Sequence, residues 1–422
     1  MSYRRLLSRY PSVLAFGVVT ASVGGLGQTF YVSLFVPDVL ESFALERTAY
    51  GTLYGVATLG AALLLPAIGR RIDRVAVLPY AVTVALAFAV ACLTVAVAKS
   101  VLVLALGLLL LRLCGQGLMA HISSTTMARF FTSARGRALG IASLGHPLAE
   151  ATLPLVATAL LSAFDWRQVW LLSVAGVCVY VLVAALLLGR RDTRPHAFRD
   201  VEDAPEGAPE MAAGGWTRGE LLKDARFWLL VPWYLTPAFV LTGLFFHQLQ
   251  LAEEKGWSEA WLASSFLGYA MGRTALSFLA GPLVDRFSAR RVLPFHLLPF
   301  AVGLFVLGLT SAKATSWLYL SLAGITVGLG ANSKAAFLPE MFGVRHLGAI
   351  KSALMSLGVL STALSPPLFG WLLDEGVTFS VLAPALGAGC LVVTGVGMAG
   401  VALLVRDPRP RRPSTKLSTG SG

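Results

Sequence analysis

The chain has 422 residues, 56% of them hydrophobic and only 13% charged, with a formal net charge of +12 and a mean hydropathy of +0.72. Soluble domains carry about 25% charged residues, so this composition excludes an ordinary soluble protein. The positive balance does not indicate nucleic acid, because the basic residues sit in short segments between apolar runs and form no single patch.

A helix needs about 20 apolar residues to cross a bilayer core of about 30 Å, and twelve such runs follow one another along the chain. Residues 1–11 carry Arg4, Arg5 and Arg9 ahead of the first run, Ser12–Val36. That start resembles a secretory leader, but the run is too long and lacks a small-residue cleavage site, so it is read as the first span. Spans two to six are predicted at Thr48–Ile68, Val77–Ala98, Val101–His121, Ala138–Leu161 and Gln168–Gly189. The segment Arg190–Arg226 is polar and rich in Pro, Asp, Glu and Arg. It has too little apolar surface to bury and reads as a tether, with a short surface helix expected at Leu221–Arg226. Spans seven to twelve follow at Phe227–Leu249, Ala260–Ala280, Val292–Leu309, Trp317–Leu338, Leu347–Leu372 and Phe379–Val405. The chain thereby divides into an N-terminal six-helix bundle (1–189), a linker (190–226), a C-terminal six-helix bundle (227–405) and a tail (406–422). The four cysteines, Cys92, Cys114, Cys178 and Cys390, all lie inside apolar runs without Cys-x-x-Cys spacing, so neither a disulfide framework nor a metal site is expected.

Charge sets the orientation. With the N-terminus placed in the cytosol, 25 of the 34 Lys and Arg residues fall on that side; the other side receives Arg47, Lys99, Arg167, Lys255 and Lys313. Basic loops stay cytosolic, so the expectation is a multi-pass protein of the inner (plasma) membrane with both termini and the linker in the cytosol.

The two halves echo each other. Gly69-Arg70-Arg71-Ile72-Asp73-Arg74 follows the second run, and Gly281-Pro-Leu-Val-Asp285-Arg286-Phe-Ser-Ala-Arg290-Arg291 follows the eighth, 212 positions later. Gly115-Gln-Gly117 and Gly328-Leu-Gly330 are offset by 213, as are Ser143-Leu-Gly145 and Ser356-Leu-Gly358. Such self-similarity marks a duplicated architecture. The paired Gly-x-x-x-Asp-Arg loops resemble the loop motif of the major facilitator superfamily. The second copy has Ser288 where the family usually has Gly, and the first lacks the trailing Gly-x-Arg-Arg. The resemblance implies an all-α membrane protein with twelve transmembrane helices in two pseudo-symmetric six-helix bundles, each built of inverted three-helix units, and a site at midplane. It implies a secondary transporter working by alternating access, not an enzyme. It also implies a gate formed by Gly69, Asp73, Arg74, Gly281, Asp285, Arg286 and Arg290. The aspartates would meet the N-termini of spans five and eleven, whose partial positive charge favours a carboxylate, and would close the cytosolic side in the outward-open state.

Ionisable groups inside a membrane are costly and usually functional. Five stand out: Arg112, His146, Glu150, Arg273 and Lys334. Spans four and five are joined by a short loop, so an Arg112–Glu150 ion pair is expected, serving either to tie helices or to couple protons. His146, one turn before Glu150, suits a proton relay. Arg273 lies about 12 Å from Gly281 along its helix and has no acid at i±3 or i±4. Its planar fork of donors matches a substrate carboxylate, with a Glu150 contact across the cleft as the alternative. The pair Gly272-Arg273 resembles the monocarboxylate and oxalate–formate branch, which implies that a span-eight arginine holds the substrate carboxylate. Gln28, Tyr31, Gln116, Tyr234, His247 and Asn332 are candidate cleft residues, each with simple helix packing as its alternative. Lys334 is expected to lie too near the cytosolic end of span ten to meet a mid-membrane substrate.

Some features depart from known branches. Spans one and eleven lack the lysines of animal monocarboxylate carriers and dicarboxylate exchangers, and Arg112-Leu-Cys-Gly-Gln116-Gly117 is one residue off the drug–proton antiporter motif. No nucleotide-binding loop occurs, so ATP is not the direct driver, and no cofactor is called for. The expected function is proton-coupled transport of a small organic anion, a monocarboxylate, by a monomer whose partners are protons and lipid. Proton-driven efflux of drug-like amphiphiles is the alternative; a receptor without flux is a third, against which the duplicated gate argues. Cysteines placed at Ser2, Gly207 and Ser418 should resist impermeant thiol reagents in intact cells; labelling of all three from outside would reverse the topology.

Overall fold

A computed structural model describes residues 3–131, 134–189, 216–343 and 346–407. Most of the expected linker and nearly all of the tail lie outside these residues. Every regular element among the described residues is helical. Among the described residues, ten single helices are long and apolar enough to cross a membrane. They are span two (Arg47–Asp73), three (Val77–Ala96), four (Val101–Phe130), five (Arg135–Leu161), six (Trp166–Leu188), seven (Ala225–Phe246), nine (Ala289–Leu309), ten (Ala314–Phe342), eleven (Leu347–Asp374) and twelve (Phe379–Arg406). Span one is broken into Pro11–Gly27 and Thr29–Phe43, bent by 46°. Span eight, Glu259–Phe287, has 29 residues and lies among the others, but Arg273 and its glycines and serines lower its apolarity. The outer surface exposes Leu63, Leu102 and Leu186 at 81%, 80% and 83%. Side chains of that kind on every outward face need lipid, not water, around them. The short helix expected at Leu221–Arg226 forms slightly earlier, at Arg218–Lys223. It starts there because Thr217 and Glu220 make a reciprocal capping box.

The bend in span one has a local cause. Gly24-Gly25-Leu-Gly27 tightens into a 3-10 turn, and Gln28 then adopts an extended backbone (φ −85°, ψ 156°). A Cβ on Gly27 would stand 2.5 Å from the Leu111 carbonyl oxygen, so only glycine lets spans one and four approach this closely. Opposite the break, span four widens into a π-type turn over Arg112–Met119, a distortion common at functional sites.

The bundles meet along two seams, span two on span eleven and span five on span eight. The end opposite the termini is sealed. Cβ atoms on Gly51 and Gly55 would sit 2.8 and 2.4 Å from the backbone of Pro366 and Ala363, so the two helices touch main chain to main chain. Asp374, at the end of span eleven, accepts hydrogen bonds from the Thr48 amide (2.9 Å) and hydroxyl (2.6 Å) and pairs with Arg47 (3.4 Å). A carboxylate there also meets the positive end of span two. Gln248, fully buried, donates to the Phe30 carbonyl (3.0 Å) and the Ser33 hydroxyl (2.8 Å) across the bundles.

The basic end is open. Cβ atoms on Gly136 and Gly140 of span five, Gly281 of span eight and Gly348 of span eleven would meet nothing within 4 Å. The ion pairs described there stay within one bundle. Asp73 pairs with Arg129 of span four, which also donates to the Ile72 carbonyl (2.8 Å). Arg290 pairs with Glu340 of span ten (3.4 Å), and Glu340 accepts from the Ala289 amide (2.8 Å). Among the described residues, neither Asp73 nor Asp285 makes the expected contact with the N-terminus of span five or eleven. Ser288 holds φ at 70°, a region that favours the glycine found there in the family motif. Asp374→Ala should loosen the sealed end: a cysteine at Leu241 should then react with reagents from that side several-fold faster than in the parent.

Candidate functional site

Arg273 stands fourteen residues from either end of span eight, at mid-depth. Glu150 occupies the matching level of span five in the other bundle. Their side chains form an ion pair, Nη1 to Oε1, that crosses between the bundles. The carboxylate is 7% exposed, and its Oε2 is buried without a hydrogen-bond partner. Tyr269, one turn before Arg273, lies against the same guanidinium. His146 lies one turn before Glu150 and close to Arg273. A buried pair of this kind holds because each ion would be stranded without the other.

Arg112 is not the partner expected for Glu150. Its Nε donates to Thr58 Oγ1 (3.0 Å) and its Nη1 to the Gly27 carbonyl (3.2 Å) and Thr29 Oγ1 (3.5 Å). The guanidinium stacks 4.8 Å from the Tyr54 ring centroid, and Tyr54 in turn bonds Thr29 (2.9 Å). The physical reason lies in span one. Its break frees the Gly27 carbonyl, and a freed backbone group at membrane depth must find a donor. Arg112 supplies it and stays inside the N-terminal bundle, while Glu150 faces the bundle interface.

Three other expected cleft residues lie elsewhere. The Tyr31 hydroxyl bonds Ser173 of span six (2.8 Å), and the ring packs edge-on against Trp170, inside the N-terminal bundle. Asn332 donates to the Ser277 carbonyl (2.6 Å), joining spans ten and eight. His247 meets the Pro366 carbonyl (3.1 Å) near the sealed end and lines an outer vestibule of about 510 Å³ with Arg47 and Glu253. In each case the polar tip takes a nearby backbone or hydroxyl partner, buried for Tyr31 and His247 and exposed for Asn332. Gln28 and Gln116 flank the break in span one, half-buried, and stay candidates by position.

Lys334 overturns its expectation. A central cavity of about 330 Å³ is lined by Thr29 and Phe30 of span one, Leu241 and Phe245 of span seven, Tyr269 of span eight, and Thr326 and Lys334 of span ten. Side chains on a helix lean toward its N-terminus, which for span ten is the sealed end. The four-carbon stem therefore carries the ammonium from the basic side back toward mid-depth. Nζ donates to the Tyr234 carbonyl (2.5 Å) and lies 4.4 Å from the Tyr234 ring centroid, so Tyr234 packs against this lysine. Thr326, Gly330 and Lys334 recur every fourth residue, a helical stripe that could have been read from the sequence. Nothing in the sequence pointed to Tyr269, whose aromatic neighbours resemble ordinary packing. Among the described residues no cluster of His, Cys, Asp or Glu fit to hold a metal is found.

A sequence profile of the Major Facilitator Superfamily matches residues 17–272 and, again, 241–420. The chain belongs to that superfamily and is a multi-pass membrane transporter, not an enzyme. Among curated proteins it is similar to monocarboxylate transporter 11 of Homo sapiens, 29% identical over 282 residues, which span 64% of this chain and 57% of that protein. It is also similar to the chloramphenicol resistance protein CraA of Acinetobacter baumannii, 29% identical over 126 residues, 30% of each chain. Of solved structures, a bacterial homologue of the human lysosomal transporter Spinster, inward-facing and unoccupied, superposes with a TM-score of 0.67 at 17% identity, covering 94% of this chain and 95% of that one. The nucleoside transporter NupG does so with 0.67 at 12% identity, covering 93% and 98%. These structures share the fold.

Removing one member of the mid-depth pair strands the other. Arg273→Ala should therefore lower stability by about 3 kcal/mol or more. The double variant Glu150→Gln/Arg273→Gln should recover most of that loss, read as the thermal unfolding midpoint of purified protein.

Proposed function

We propose that the protein moves a small organic anion, a monocarboxylate, across the inner (plasma) membrane by alternating access, with protons as the coupling ion. The observation that carries this reading is the Glu150–Arg273 pair at mid-depth, with one carboxylate oxygen left unpartnered. A proton taken by Glu150 cancels its charge and releases Arg273. The freed guanidinium then needs an anion, and its fork fits a carboxylate in two-point fashion. The substrate's charge replaces that of Glu150, so proton and anion are taken up together and the membrane interior is never left with an unbalanced ion. His146, beside the pair, is placed to pass the proton. The similarity to monocarboxylate transporter 11 supports the substrate class.

Positive-inside logic puts the basic, open end in the cytosol, so the conformation described is inward-open with both termini cytosolic. Asp73 and Asp285 then act as the cytosolic gate in the opposite state, with the protein working as a monomer. The similarity to CraA, a chloramphenicol resistance protein, favours a second reading in which the same pair drives drug efflux. Flux in liposomes separates the two. Glu150→Gln should abolish pH-driven accumulation of a monocarboxylate while sparing exchange between equal pools. Accumulation that still responds fully to pH in this variant would exclude Glu150 as the proton carrier.

A further inference from the structure

The central cavity holds a charge that the Glu150–Arg273 pair does not account for. Lys334 lies eight residues short of the end of span ten. Its ammonium touches a carbonyl and a ring face, each of which offers only partial negative charge. Among the described residues no carboxylate forms an ion pair with it. An ammonium has three donors, so two remain beyond the Tyr234 carbonyl.

A second observation comes from the same wall. Thr326 is fully buried and lines the cavity, and its hydroxyl oxygen has no hydrogen-bond partner. Gly330 lies between Thr326 and Lys334 on that wall and adds no side chain to the space. A buried hydroxyl left unsatisfied is expensive in a membrane, where water is scarce. The remaining walls are mainly apolar, with Phe30, Leu241 and Phe245, and carry the hydroxyl-bearing residues Thr29, Thr242 and Tyr269. The complement of these surfaces is a molecule with one anionic group, a polar edge and an apolar or aromatic body. Lys334 is the one cation among the lining residues, so a second carboxylate would be left without a counter-charge and diacids are disfavoured.

We propose that Lys334 and Thr326 form the anion subsite of the central cavity, holding a monocarboxylate while Arg273 is still occupied by Glu150. This rests on the anion-transport reading above and deepens it. Tyr269 lines the cavity and also lies against Arg273, so it connects the Lys334 subsite to the pair. The anion is held first at Lys334 and passes to Arg273 once Glu150 takes its proton.

The test uses purified full-length protein with benzoate and benzamide, which share a shape and differ in charge. Titration should show that the wild type binds benzoate roughly ten-fold or more tighter than benzamide, the effect of hydrogen bonds to a charged group. Lys334→Met should erase that preference, leaving benzamide binding unchanged. Lys334→Arg should keep it, and Thr326→Val should weaken benzoate by a few-fold. Lys334→Gln, which can still bond the Tyr234 carbonyl, replaces the methionine variant if that one fails to elute as a single species. A benzoate preference that survives in folded Lys334→Met or Lys334→Gln overturns the subsite and leaves anion transport standing. Wild-type protein that neither prefers benzoate nor carries it into liposomes under a pH gradient overturns both.

Discussion

An ion pair at the middle of a bilayer constrains everything around it. Neither Glu150 nor Arg273 is tolerable alone at that depth, and they stand on different bundles. The pair therefore makes relative position of the two bundles an electrostatic matter. Helix packing along span five and span eight sets the distance at which the charges meet, and any rocking of the halves must either keep them in contact or supply new partners. The rest of the interior follows the same economy. Among the described residues Arg112 meets no acid but is surrounded by oxygen atoms and a tyrosine face. Lys334 is placed against a carbonyl and a ring.

The two ends of the molecule are closed by different means. The sealed end relies on glycine and proline positions that bring spans two and eleven into main-chain contact, topped by Asp374 and Gln248. Main-chain contact is short-ranged and geometrically exacting, so it forms or breaks as a unit. The basic end carries charges on partly exposed side chains, which pair within each bundle. Charges of this sort can exchange partners at little net change in energy near the surface. The two ends are thus governed by different physics, packing at one and electrostatics at the other.

Much of this was legible in the sequence because the membrane simplifies the grammar. Length and apolarity fix the spans, and the repeated Gly-x-x-x-Asp-Arg loops at Asp73 and Asp285 mark the duplication. Individual partners were harder to read. Spacing along one helix shows only what lies on its own face, so it left the Glu150 contact of Arg273 as an alternative and could not choose between Arg273 and Arg112 as the partner of Glu150. The glycines of span one announced flexibility without saying that Gly27 would leave a carbonyl for Arg112 to claim. The Cα level of Lys334 points to the basic end, whereas its stem carries the ammonium toward the N-terminus of the helix. Tyr31 and Asn332 have the polarity of cleft residues, but a hydroxyl and a carbonyl on neighbouring helices satisfy them.

The break in span one has one more implication. Arg112 fastens the residues before Gln28 to the N-terminal bundle through the Gly27 carbonyl, while Gln248 fastens the residues after it to the C-terminal side through Phe30 and Ser33. A single chain segment is thus anchored in both bodies, with only the extended Gln28 and Thr29 between the Gly27 and Phe30 anchors. Any rotation of one bundle against the other is delivered to that joint as torque. Span one works as a universal joint between two rigid shafts, and the backbone at Gln28 is its pin.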